Sequence, residues 1–201
     1  MVSALGSAPL AAIQYQRGFD IDELLSRSCA QLRSVGVRIG GVLQQSSGEQ
    51  GQCASSVHVV DLRSGRTFNI WEDRGACAVG CRLDERGLVD AEPALMAALA
   101  DGVDLLIINR FGRAESLGRG LLGCYLAAIE AGVAVLTAVR PPYDHAWYAF
   151  HGGCGHDLVP EMQEIIDWAL ASTARSPAHL SQGQTASIQD ATRGRSADCI
   201  L

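Results

Sequence analysis

Lysine is missing from all 201 residues, so the 16 basic side chains are arginines. That absence excludes chemistry that needs a lysine amine, including Schiff-base formation and the lysine of a Walker A phosphate loop. Long apolar runs are missing too. Nothing reaches the roughly 18 residues of a membrane span, and residues 1–9 lack the basic start and apolar core of a secretory signal. The cytoplasm is the expected location. The cysteines, at positions 29, 53, 77, 81, 124, 154 and 199, are odd in number and irregularly spaced. They make a poor disulfide framework and fit a reducing compartment. A net charge of −6 argues against a general nucleic-acid binder, which needs a basic face.

What is present is enough apolar material, 48% of the chain, for one substantial core without disulfides or a metal. Residues 9–16 read as a first strand. Asp20 is placed to cap a helix from Ile21 to Ser34, with Ile21, Leu24, Leu25 and Leu32 on its apolar stripe and Gly36 at its end. Residues 37–44 read as a second strand, 45–56 as a polar mobile loop, and 57–61 with 67–71 as a hairpin. A helix over 91–100, an apolar strand over 103–108, a helix over 117–131 and an apolar strand over 133–139 follow, with a last helix over 160–171. Buried strands that do not alternate, separated by helices, predict an α/β fold of three layers, a mostly parallel sheet flanked by helices. Residues 1–8 are expected to be flexible, 9–172 to form a single domain, and the Ser-, Gln- and Arg-rich stretch 173–201 to be a disordered tail.

Ligands of such sheets bind outside the carboxyl ends of the strands. This brings the loops 16–20, 109–113 and 140–144 to one mouth. In the first, Arg17 and Gly18 stand where a phosphate loop would lie, but one glycine, no lysine and the bulky Phe19 fit an ordinary turn as well as an anion site. The second carries Asn109 and Arg110 at the end of a buried strand, followed by Arg113, Glu115 and Arg119 among Gly112, Gly118 and Gly120. Glycines admit close backbone approach and arginines supply forked donors, a pattern for an oxyanion; a solvated loop with internal ion pairs is the alternative. The third, led by Arg140, gathers Tyr143, His145, Trp147, Phe150 and His151. It reads as a lid or pocket wall, anchored by Trp147 and Phe150, with Tyr143, His145 and His151 facing the mouth. His151, Cys154 and His156 have metal-ligand chemistry at a spacing that matches no standard zinc pattern, and Cys77 with Cys81 could ligate a soft metal or respond to oxidation.

Residues 36–44 (Gly-Val-Arg-Ile-Gly-Gly-Val-Leu-Gln), 81–84 (Cys-Arg-Leu-Asp), 109–112 (Asn-Arg-Phe-Gly) with Glu115, 118–120 (Gly-Arg-Gly), and 135–139 leading to Trp147 and Phe150 together resemble a bacterial family, domain of unknown function 2478. The resemblance covers about residues 9–160. It implies a fold similar to the small P-loop nucleoside-triphosphatases, with a degenerate phosphate loop. At the strand end where that class holds magnesium with carboxylates, this chain has Asn109 and Arg110. The family's association with molybdenum transport or molybdate metabolism implies an oxyanion ligand.

The expected function is binding without hydrolysis: a small oxyanion, molybdate among them, or a phosphorylated ligand, held by Arg110, Arg113 and Arg119 with Arg17 and Arg140 closing the mouth. No cofactor is implied. Two other readings stay open: an atypical nucleoside triphosphatase with Glu115 orienting water, and a pseudo-enzyme that binds another protein. A homodimer is compatible with the sequence, and no feature of it fixes one.

Overall fold

The computed structural model describes residues 9–47, 56–71 and 84–174. The expectations for residues 1–8, for Cys77 and Cys81, for the centre of the polar loop and for the tail beyond residue 174 lie outside these. The strand residues are apolar at successive positions because both faces of the sheet are covered. In β5 (Leu105–Ile108), Leu105 and Ile107 pack on one side while Leu106 and Ile108 pack on the other, all at most 1% exposed.

The sheet has seven strands in the order β4-β3-β2-β5-β6-β1-β7. Five run parallel: β2 (Ile39–Ser47), β5, β6 (Ala134–Val139), β1 (Leu10–Gln14) and β7 (His156–Leu158). The hairpin strands β3 (Ser56–Asp61) and β4 (Thr67–Asn69) extend one edge antiparallel, in register from Val42 opposite Asp61 to Ser47 opposite Ser56. Helices α1 (Ile21–Ser34) and α6 (Met162–Thr173) cover one face. The other face carries α2 (Glu85–Ala100), α4 (Leu122–Glu130) and α5 (Asp144–His151). The three-layer fold expected from the sequence is the one observed.

Helix α1 has the bounds that its pattern predicts, and the Asp20 carboxylate accepts from the Glu23 N–H at 3.0 Å. Other segments differ. Helix α2 begins six residues before the expected start, because the Asp84 side chain caps it and its buried stripe reaches back to Leu88; Pro93 lies within it on an exposed side. The helix expected over 117–131 begins five residues late, at Leu122. A short α3 (Arg113–Ser116) and α4 are separated by a bend in which Gly118 and Gly120 have φ of 76° and 63°, values that break helical propagation. The segment expected as a lid or pocket wall forms α5 and then pairs as β7 alongside β1. Residues 45–47, assigned to a loop, continue β2 because the hairpin partner reaches them.

At the edge opposite the mouth, the Asp104 carboxylate is 1% exposed and ties the start of β5 to the start of β2. It accepts from the Arg38 backbone N–H at 2.9 Å and from the Arg38 guanidinium at 2.6 and 3.1 Å, which raises the guanidinium pKa. Asp104→Asn keeps one acceptor but loses the ion pair. It is expected to lower stability by about 1–2 kcal/mol, measured by urea unfolding.

Candidate functional site

Strand order brings together residues far apart in sequence. The crossover through α1 joins β1 to β2, which are separated in the sheet by β6 and β5, so the first turn of α1 passes the carboxyl end of β5. Asp22, in that turn, is favoured there by the helix dipole. It receives three donors: Asn109 Nδ2 at 3.0 Å, an Arg110 guanidinium N–H at 2.8 Å and Gln44 Nε2, from β2, at 3.3 Å. A carboxylate only accepts, so the Asn109 amide is oriented with its nitrogen toward Asp22. Its Oδ1, and the Nε of Arg110, are then buried without a hydrogen-bond partner among the described residues. The guanidinium carbon of Arg110 also sits 5.9 Å from the centre of the Tyr15 ring.

Beside this cluster is a cavity of about 190 Å³. Its walls include the buried side chains Val42, Val59, Ile70, Leu88, Ile108 and Leu121. Its polar lining includes the exposed Arg113, the half-buried Arg110, Arg140 and Tyr143, and the buried Asn109 and Glu115. Of the ten residues proposed from the sequence to face a ligand, these six line the cavity. Arg17 does not: it is exposed on a tight turn closed by the Phe19 N–H to the Gln16 carbonyl, 3.1 Å, with Gly18 at φ 92°. Arg119 and His145 are exposed and also outside the lining.

Glu115 lines the cavity but is only 5% exposed, and its oxygens accept from the backbone N–H groups of Gly112 at 3.0 Å and Leu121 at 3.1 Å. It clamps the bend between β5 and α4. This disfavours the water-orienting role open to it on sequence grounds, since the carboxylate is engaged by the backbone. The loop is pinned a second time by Phe111, whose N–H donates to the Ala138 carbonyl at 2.9 Å and whose ring meets Tyr125, Trp147 and Phe150 at 5.3 to 6.0 Å. Tyr125 is wholly buried with its hydroxyl 2.7 Å from that of Thr137; burial first, and then the charge of Glu115, raise its pKa well above the ordinary value. Arg110 and Arg113 thus stand on a loop pinned at Phe111 and Glu115.

His151 does not face the mouth. It is buried, its ring 5.0 Å from that of Trp147, and its Nδ1 accepts from the N–H groups of Gly153 and Gly155 at 3.1 and 3.0 Å. The imidazole therefore shapes the turn into β7 and is not presented with Cys154 and His156, both exposed, as a ligand set. Among the described residues no three His, Cys, Asp or Glu side chains converge where a metal ion could sit. Burial pushes the thiols of Cys29 and Cys124 up to about 12, with Arg33 partly opposing at Cys29 and Glu92 adding to the rise at Cys124. The folded state holds these protons more tightly than the unfolded chain. The stability they contribute is complete below about pH 9, the ordinary thiol value, and is lost as pH rises toward about 12. Iodoacetamide at pH 8 is expected to label the exposed Cys154 and spare Cys29 and Cys124 until the protein is unfolded, as read by peptide mass mapping.

Two residues at the centre of the cluster, Asp22 and Gln44, were not assigned a ligand role from the sequence. The available signal was local: Asp22 follows the cap Asp20 by two positions at the start of a helix whose preceding loop opens on the mouth.

A family model described as "Protein of unknown function (DUF2478)" matches residues 10–168. The chain belongs to this family. Within the DUF2478 family's matched span lie all the elements that build the site, from β1 to α5. Among curated proteins, the chain is 39% identical over 166 residues to "Molybdenum import ATP-binding protein ModC 2" of Bradyrhizobium diazoefficiens, covering 83% of this chain. It spans only 18% of that relative's length. Among solved structures it is similar to one titled "Solution Structure of a Human Cancer-Related Nucleoside Triphosphatase", with a TM-score of 0.54 at 16% identity over 89% of this chain and 98% of the other. That likeness shows the fold, a P-loop nucleoside-triphosphatase-like α/β sheet. No helix among the described residues is long and apolar enough to cross a membrane.

Proposed function

We propose that this DUF2478 protein binds a small oxyanion or the oxyanion group of a phosphorylated ligand in the cytoplasm, without hydrolysing it. The observation that carries the reading is the grouping of Arg110, Arg113 and Arg140 around one cavity at the carboxyl edge of the sheet. Guanidinium groups match tetrahedral oxyanions with paired donors, and an apolar wall behind them lowers the local dielectric and strengthens the attraction. The chemistry of splitting a nucleotide has little support. The turn after β1 is compact, the chain has no lysine, and the strand end carries Asn109 and Arg110 where acidic residues would hold magnesium. At about 190 Å³ the cavity is also below the roughly 300 Å³ at which pockets begin to enclose drug-sized ligands, so a whole nucleotide would lie mostly outside it.

Molybdate is the inorganic ligand to try first, because the curated relative is named for molybdenum import. Isothermal titration against molybdate, tungstate, sulfate, phosphate and ATP tests the reading. Heat with at least one oxyanion, and no phosphate release from ATP, is the expected result; silence from all of them at millimolar concentration overturns it.

A further inference from the structure

The cavity has more apolar wall than an inorganic anion can use. Val42, Val59, Ile70, Leu88, Ile108 and Leu121 are each no more than 8% exposed, and they come from β2, β3, β5, α2 and the segments flanking β4 and α4. A tetrahedral anion held by the arginines has no apolar surface of its own to bury, so it leaves most of that wall unused. The arginines, in contrast, are half-buried or exposed at the entrance. The arrangement has two chemically distinct ends, a cationic mouth and an apolar interior.

The volume sets the size of what could occupy the interior. A dry apolar cavity of about 150 Å³ accommodates a benzene-sized molecule, and this pocket, its open arginine-lined entrance included, measures about 190 Å³. Building on the arginine-mouth reading above, we infer that the ligand is an organic anion, a phosphate or similar oxyanion group joined to one apolar ring-sized body, with the anionic group among the arginines and the body against the apolar wall. The tyrosine at the entrance, Tyr143, suits the junction: its ring extends the apolar surface and its hydroxyl can donate to the anion.

The test compares inorganic phosphate with phenyl phosphate on the full chain by isothermal titration. Methyl-labelled protein is then followed by NMR at Val42, Leu88 and Leu121. Phenyl phosphate is expected to bind at least about tenfold tighter, since burial of even two ring carbons supplies that factor. It should shift those methyl signals, whereas inorganic phosphate should not. Arg113→Gln should weaken both probes. Equal affinity for the two overturns the organic-body inference and leaves the arginine mouth standing; no binding of either overturns the inference, and removes the arginine mouth too when molybdate, tungstate and sulfate are also silent. Tighter phenyl phosphate binding that spares the three methyl signals or survives Arg113→Gln also overturns the inference, because the ring would then be held elsewhere.

Discussion

Replacing Gly41 with alanine is expected to leave no stably folded protein. Gly41 sits in β2 opposite Ile107 of β5 with φ of 107°, a conformation in which an L side chain is strained by about 1–3 kcal/mol. The larger effect is contact. A Cβ at this position would lie 1.9 Å from the Ile107 carbonyl oxygen and 2.7 Å from its nitrogen, and backbone cannot rotate away as a flexible side chain can. Relief requires β2 to separate from β5 in the middle of the parallel sheet, removing ladder hydrogen bonds and opening the core on both faces. Against a typical total stability of about 5–15 kcal/mol, this is expected to be decisive. Gly65→Ala is the control: its φ of 73° is also positive, yet a Cβ there meets nothing within 4 Å, so the cost should stay near 1 kcal/mol. Circular dichroism and thermal melts of the two variants separate the effects. A cooperative, near-native melt for Gly41→Ala would show that the sheet can repack at this point.

Arg110→Gln is expected to weaken oxyanion binding about 10- to 100-fold, the range for losing a hydrogen bond from a charged donor. Asp22→Asn should act in the opposite direction. The Asp22 carboxylate lies 2.8 Å from the Arg110 guanidinium and would compete with an anion for it. Asparagine keeps an oxygen for the Asn109 amide but removes the negative charge, so anion affinity should rise by several-fold, with a weaker effect at high salt because both side chains are partly exposed. Titration of both variants with the same oxyanion gives the comparison. If neither substitution changes affinity while both lower the melting temperature, the pair is a structural tie between α1 and β5, and the anion is held without it.

The elements were legible where their cause is local. Periodicity and a cap define α1, and runs of aliphatic residues define β1, β5 and β6, because a strand covered on both faces needs apolar side chains at every position. The mouth could be located from the same order, since parallel strands put their carboxyl ends on one edge. The break between α3 and α4 was less legible. Leu117 and Leu121 fit the apolar stripe of a helix running on to residue 131, but the left-handed φ of Gly118 and Gly120 and the Glu115 clamp on Gly112 and Leu121 are tertiary choices. The same holds for the turn into β7, where His151 bonds inward to glycine N–H groups.

By itself the sequence determined the α/β class, the absence of lysine chemistry and the set of arginines available to an anion. Tertiary structure decided which of them share a cavity: Arg110, Arg113 and Arg140 do, while Arg17 and Arg119 fall outside its lining. It also placed Asp22 against Asn109 and Arg110, which are 87 and 88 positions away in the chain. The physical reason is the strand order. Periodicity records which face a residue buries against, but only the crossover of α1 past β6 and β5 determines whose strand end its first turn meets.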